Sequence, residues 1–299
     1  MIYDAIIIGA GVAGLTCAMK LKQLGKSCII LEKRSLTTAK ACGGGITNNA
    51  LSLLSTLGIH TNEFLNADAK IITKVNQSFP DGKTEIYYYK NSNTKIKHSV
   101  GIRRKKFDEI LLSHAMKNKI RIITDFDTNQ IINNNYIHIN DYIGRNLIYA
   151  TGSMQQYYPS TYLKTFGIST ELKAEMNVSD NTFYFFIDKS YYGGYAWIFP
   201  NGTNCWNIGV WQRNHFKLLK ENFKKFYTTI LTEKITHFTS MELPKSGSIH
   251  CGNKEIYIKY NNVYYIGECI GFASEQNGEG IYQAILSGIS AAMDLYNTQ

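Results

Sequence analysis

Near the amino terminus, Gly9-Ala10-Gly11-Val12-Ala13-Gly14 sets three glycines in a G-x-G-x-x-G spacing, with the carboxylate Glu32 about twenty residues on. Gly9 suits a tight turn, Gly11 lets backbone come close to a pyrophosphate, and Gly14 lets a helix pack closely on the preceding strand. The N-terminus of that helix turns free N–H groups and partial positive charge toward phosphate. Glu32 is placed to accept both hydroxyls of a ribose. The chemistry available to this set is the holding of an adenine dinucleotide. A 2′-phosphate on that ribose is disfavoured, because it would face the negative charge of Glu32.

Which dinucleotide it is depends on the other end of the chain. Tyr264-Tyr265-Ile266-Gly267-Glu268-Cys269-Ile270-Gly271-Phe272 places an acid and glycines directly after an apolar run, and Gly278-Glu279-Gly280 then opens a helical pattern at Ile281. An acid at Glu268 can accept from a ribityl chain, and a helix N-terminus can stabilise negative charge on a reduced flavin. A nicotinamide dehydrogenase has no need of this second segment, so FAD is the expected cofactor.

Two further sets each have two readings. Cys42 precedes Gly43, Gly44 and Gly45. In a glycine loop beside a flavin its thiol could give a proton or touch substrate, whereas between a helix and a loop it is a small filler. Tyr195, Trp197 and Phe199 alternate along one strand face, as the wall of an apolar cavity or as ordinary core. The seven histidines show no HxxxH spacing, and no metal centre is expected. Ser246-Gly247-Ser248 lacks the strand-turn-helix setting of a hydrolase nucleophile.

The elements that must position these residues follow from periodicity. The apolar β-branched run Ala5 to Ile8 reads as a buried strand, and Leu15, Ala18, Met19 and Leu21 follow at helical spacing before Gly25. Ser27 to Leu31 is a second strand, completing a βαβ unit with parallel strands and a right-handed crossover. From Lys70 to Val100 the pattern is β-rich, with a turn at Asp81-Gly82 and a strand at Ile86 to Tyr89. A helical stripe at Phe107, Ile110, Leu111 and Ala115 precedes a strand at Ile120 to Thr124. Asn133, Asn134 and Asn135 suit a hairpin tip, and Asn146 to Ala150 a strand ending at Thr151-Gly152. Phe183 to Val210 is again β-rich, Phe216 to Leu231 helical, Val263 to Ile266 a strand, and Ile281 to Tyr296 a closing helix rich in small residues.

The expected fold is α/β (α+β overall): a Rossmann-like FAD-binding domain from 1–68, 95–155 and 245–299, interleaved with a β-rich substrate domain from 69–94 and 156–244. A chain of 299 residues, 44% hydrophobic, can bury substantial cores. Its net charge of +9 suits anionic partners or simply a solvated lysine-rich surface. The run Arg103 to Lys106 is too short for a nucleic-acid tail, and no nucleic-acid module accompanies it. Six cysteines without CxxC spacing suggest neither zinc nor a disulfide framework and fit a reducing cytoplasm. No signal peptide is read after Met1, and no apolar run approaches the roughly 20 residues of a membrane span. Peripheral membrane contact stays open.

Together with the N-terminal glycines, Cys42-Gly43-Gly44-Gly45, Arg104-Lys105-Lys106-Phe107-Asp108, Ala150-Thr151-Gly152, Gly194 to Pro200 and the Gly-Glu-Gly helix start resemble the geranylgeranyl reductase family within the para-hydroxybenzoate hydroxylase-like flavoproteins. The resemblance implies flavin contacts at Arg104 and the Cys42 to Gly45 loop, and a ribityl or pyrophosphate contact at Glu268. The family usually has Gly-Asp where this chain has Gly267-Glu268, which keeps the acceptor but shifts it outward. Its members often continue past the closing helix, so the long isoprenoid tunnel is not carried over. Flavin halogenases have a Trp-x-Trp-x-Ile-Pro segment, two members of which are Tyr195 and Phe199 here.

The cofactor-contacting set is therefore Gly9, Gly11, Val12, Ala13, Gly14, Glu32, Lys33, Cys42, Gly43, Gly44, Arg104, Ala150, Thr151, Gly152, Gly267, Glu268, Gly278, Gly280 and Ile281, with Cys42 and Trp197 as catalytic candidates. The leading expectation is an FAD-dependent reductase of carbon–carbon double bonds in an apolar small molecule. A flavin monooxygenase or halogenase and an electron-carrying flavoprotein are the alternatives. No second glycine motif serves NAD(P)H, so the electron donor is a transiently bound nicotinamide or a ferredoxin.

Overall fold

A computed structural model describes residues 1–36, 40–126, 132–133, 136–154 and 163–298, without side chains at 132, 133 and 154. Two large sheets and one small one organise the chain.

In the first sheet Ile2–Ile8 lies between Cys28–Leu31 and Tyr142–Tyr149, parallel to both, and Arg121–Ile123 and Val263–Ile266 extend it in parallel on either side. The apolar run is continuous because both faces are covered. Ala5, Ile7 and Ile30 pack beneath the helices Val12–Gln23 and Ile281–Asn297, while Ile6, Ile8, Ile29 and Leu31 meet Ile137, Ile139, Leu147 and Tyr149 on the reverse face. The expected strand from Ser27 starts at Cys28. Ser27 instead ties the strand ends together, its N–H and hydroxyl both donating to Asp4 Oδ2 at 2.8 Å.

The closing helix lies against the first helix because its small residues allow it. A Cβ on Gly288 would stand 2.5 Å from Ala13 O and 2.6 Å from Thr16 Oγ1. That contact carries the Gly-Glu-Gly segment over the glycine turn.

The second sheet runs in the order Ile235–Met241, Leu163–Met176, Cys205–Gln212, Tyr195–Gly202, Thr182–Phe186, Lys74–Ser78 and Thr84–Tyr88. Leu163–Met176 was not expected as a strand. It is the longest, pairing along one edge with Cys205–Gln212 and along the other with Lys245–Cys251 and then Ile235–Met241. By pairing, Lys245–Cys251 thus lies in the second sheet, although the expected division placed residues from 245 onward with the FAD-binding part. Gly45–Ile46, Ser99–Gly101 and Lys70–Ile72 form the small sheet between the two.

Phe216 to Leu231 is helical but broken, with a 3₁₀ turn, an α-helix over Leu219–Phe226 and a π turn over Tyr227–Leu231. Phe223 and Phe226 cover one face of the second sheet, against Ala196, Ile198, Ile208 and Val210. Two helices not anticipated, Asn48–Thr56 and Thr61–Asn66, follow the Cys42 loop. Of the expected asparagine hairpin, Ile137–Ile139 pairs antiparallel with Ile132–Asn133, and residues 134–135 lie outside the described residues. No helix among the described residues is long and apolar enough to cross a membrane.

Candidate functional site

The first strand ends in the glycine turn. Gly9 has φ +108°, and a Cβ there would stand 2.5 Å from Ala150 O, so only glycine turns the chain this sharply beside Ala150-Thr151-Gly152. Gly14 is held by the same economy of space, since a Cβ would come within 2.0 Å of Gly9 O. Gly11 differs. It caps the helix at φ −77°, and a Cβ there would meet only Lys40 Nζ, at 3.3 Å.

The first bond of the helical ladder runs from Leu15 N–H to Gly11 O (2.9 Å), so the N–H groups of Val12, Ala13 and Gly14 lie ahead of it. Glu32, at the end of the next strand, accepts from Ala10 N–H at 2.6 Å and from Arg34 N–H at 3.0 Å. The carboxylate is thereby fixed beside the turn while still lining open space.

That space is a cavity of about 1160 Å³ running from the turn to the second sheet. It exceeds the roughly 300–1000 Å³ of a typical small-molecule site, leaving room for a dinucleotide and part of a second molecule. All the sequence-assigned contacts line it except Gly14 and Gly267, which act through packing. Gly267, at φ +73°, turns the chain into the short helix that carries Glu268 and would bring a Cβ 3.0 Å from Ala13 Cβ.

The electrostatics of the cavity come from a few groups. Burial pushes the Glu268 carboxyl above the ordinary range, against the pull of the His250 N–H (3.2 Å) and of the Lys40 and Arg104 charges. Burial disfavours the Arg104 cation, yet Asp108, bonded to its Nε at 2.9 Å, and Cys42 more than offset this and hold its basicity above the usual value. Lys40 had no sequence signal, standing in a plain loop. It brings an ammonium to the place where phosphate would meet the glycine turn.

The Cys42 loop lies flat on aromatic rings. A Cβ on Gly43 would stand 3.2 Å from the Phe199 ring, one on Gly45 3.2 Å from Phe183, and one on Gly44 (φ +74°) 2.2 Å from Ile102 O. Asn201 Nδ2 donates to Gly43 O at 3.2 Å, and Gly44 N–H donates to Cys42 Sγ at 3.4 Å. The alternation of Tyr195, Trp197 and Phe199 has both proposed consequences at once: these rings pack with one another and line the cavity. Phe183, Phe185 and Trp211 complete that wall from neighbouring strands. Their side of the sheet was hidden in the sequence, because both faces of these strands are apolar.

A parallel sheet with this turn, an acid on the adjacent strand and a long cleft toward an aromatic-walled sheet defines an FAD-dependent oxidoreductase. The residues fit the cofactor: the cradle at Gly11 is open but for the flexible tip of Lys40, and the helix start and Lys40 supply the charge that a pyrophosphate needs.

Comparison with known proteins agrees. Residues 2–135 match the FAD binding domain family. The chain is similar to digeranylgeranylglycerophospholipid reductase 3 of Methanosphaera stadtmanae, at 23% identity over 96% of this chain and 76% of the relative. It shares its fold with a geranylgeranyl bacteriochlorophyll reductase-like protein of Thermoplasma acidophilum, with a TM-score of 0.78 and 18% identity over 99% of this chain and 78% of that one. It shares the fold equally with a p-nitrophenol 4-monooxygenase of Pseudomonas putida, with a TM-score of 0.78 and 12% identity over 99% and 80%. The resemblance to the geranylgeranyl reductase family read from the sequence is matched by a relative of that name aligned over 96% of this chain, while the fold is common to reductases and monooxygenases.

Proposed function

We propose that this chain is an FAD-dependent reductase of carbon–carbon double bonds in an apolar, polyprenyl-like substrate. The observation that carries the reading is the wall of Phe183, Phe185, Tyr195, Trp197, Phe199 and Trp211 on the same cavity as the glycine turn. A relative named for reduction of a geranylgeranyl lipid supports the substrate class.

In this reading Gly9, Gly11, Val12, Ala13 and Lys40 hold the pyrophosphate, and Glu32 and Lys33 the adenosine side. Ala150, Thr151, Gly152 and Glu268 serve the stretch between, and Cys42, Gly43, Gly44, Arg104, Gly278, Gly280 and Ile281 the flavin end. Bound FAD supplies hydride chemistry. The aromatic wall orients an apolar chain and keeps water from it, and the Cys42 loop, pressed on Phe199 and Phe183, sets the floor at which the two meet. The electron donor is a nicotinamide or a ferredoxin that binds transiently, and the +9 charge favours peripheral contact with an anionic membrane that holds the substrate.

A flavin monooxygenase or halogenase is the second reading, favoured by the same wall, because stacked rings also suit a planar aromatic substrate. The deciding experiment mixes dithionite-reduced enzyme with geranylgeranyl diphosphate under argon. Reoxidation with a saturated product supports the reductase. Inertness to the alkene, with hydroxylation or halogenation of an aromatic in air, replaces it with the second reading.

A further inference from the structure

Glu279 stands between the glycines that open the closing helix, and it lines the same cavity as the aromatic wall. The segment that carries it is tightly held. Tyr195 Oη donates to Asn277 O at 2.6 Å, Asn277 Oδ1 accepts from Glu279 N–H at 3.0 Å, and Ser274 N–H donates to Glu279 O at 2.8 Å. Gly278 has no room for a side chain, since a Cβ would stand 2.9 Å from Trp211 Nε1. Thr47 Oγ1 donates to Glu279 Oε1 at 2.8 Å, and Oε2 has no hydrogen bond among the described residues. A carboxyl with one oxygen committed and the other unpartnered, on a residue that lines the cavity, is placed as an acid.

We propose that Glu279 is the proton donor of the reduction, giving its carboxyl proton to one carbon of the substrate double bond as hydride reaches the other. The inference rests on the reductase reading above. The alkene π bond breaks and two C–H bonds form. Bound reduced FAD would supply the hydride, which carries both electrons, and the nicotinamide or ferredoxin donor would be the source of its reducing equivalents. The proton leaves Glu279 Oε2 with its bonding pair staying on oxygen, and water restores it.

The surroundings favour the protonated form. Burial pushes the Glu279 carboxyl above the ordinary range, and the Thr47 hydrogen bond opposes this. Among the described residues, the titratable groups that feel its charge are the phenols Tyr89 and Tyr195, neither of them a cation. Cys42, the donor suggested by sequence, is otherwise engaged: its sulfur accepts from Gly44 N–H and faces Arg104.

The test uses FAD-loaded enzyme and two readouts. The first is the infrared signal of protonated carboxyls at neutral pH, identified by its shift in D₂O. Wild type carries a component that Glu279→Gln lacks, and its absence from wild type overturns the proposal. The second is anaerobic reoxidation of dithionite-reduced enzyme by geranylgeranyl diphosphate. Glu279→Gln, which keeps the Thr47 bond, stays yellow yet is slowed roughly 100- to 10,000-fold, the range of general-acid catalysis. Glu279→Asp recovers part of the rate. If Glu279→Gln folds poorly, Glu279→Asp and the wild-type infrared signal still decide. Wild-type turnover with Glu279→Gln unimpaired overturns this inference alone. A wild type inert to the alkene overturns the reductase reading and this inference with it.

Discussion

Trp197 Nε1 donates to Asn207 Oδ1 at 2.8 Å, and Asn207 Nδ2 donates in turn to Glu171 Oε1 at 3.0 Å. An indole N–H can only donate, so it takes the amide's single oxygen and leaves the NH₂ for the carboxyl. The ring that walls the cavity is thus oriented by two residues, Asn207 and Glu171, that do not line the cavity themselves. Replacing Asn207 with Leu strands the buried indole N–H and the Glu171 oxygen, at a cost of about 1–3 kcal/mol for each unsatisfied group. Urea denaturation should register that loss. The variant should keep FAD but raise KM for a polyprenyl alkene, as Trp197→Ala should do more strongly. An unchanged KM in both variants would remove Trp197 from the substrate wall.

The glycines of the turn should separate by consequence. Gly14→Ala forces a methyl to within 2.0 Å of Gly9 O, so the expected result is poor folding even before cofactor binds. Gly11→Val meets only the tip of Lys40, so the apoprotein should fold with a near-normal melting temperature and fail to bind FAD. Circular dichroism and flavin fluorescence on the two variants check this, and yellow Gly11→Val protein would contradict the cradle.

Glu32→Ala removes the acceptor for the expected ribose hydroxyls and also the tie to Ala10 N–H. Loss of a charge-assisted contact of about 1.5–3 kcal/mol should weaken FAD roughly ten- to hundredfold. An unaltered dissociation constant by calorimetry would show that the carboxylate serves the turn alone.

A pH dependence follows from Glu171. Burial pushes its carboxyl above the ordinary range, with Glu242 adding to the effect and Asn207 and Cys205 opposing it. The folded state then holds this proton more tightly than the unfolded chain does. Stability from this group is full below the unfolded value of about 4.3 and is lost as pH rises through the folded value. Glu171→Gln lacks this dependence, so its stability relative to wild type should increase as pH is raised across that window and then level off. Urea midpoints at several pH values measure the difference, and a flat profile would show that Glu171 titrates normally.

How much of this was legible in advance follows from the range of the interactions. The glycine turn and Glu32 could be read directly, because a tight turn, a helix start and a strand end are local matters of backbone sterics and apolar periodicity. Glu268 and the Gly278-Glu279-Gly280 segment were found for the same reason, each lying next to a strand or helix boundary. Lys40 was not, since a lysine in a loop has no periodicity and only the folded chain brings it to Gly11. Nor could alternation say which face of Tyr195–Gly202 meets the cavity, because Ala196 and Ile198 are as apolar as Trp197. That was decided when Phe223 and Phe226 covered the one face and the Cys42 loop lay down on the other. The same holds for Glu279: its identity and its place before the closing helix belong to the sequence. Its place on the cavity was decided by tertiary packing, in which Gly288 lets that helix settle on Ala13, a contact between residues far apart in the chain.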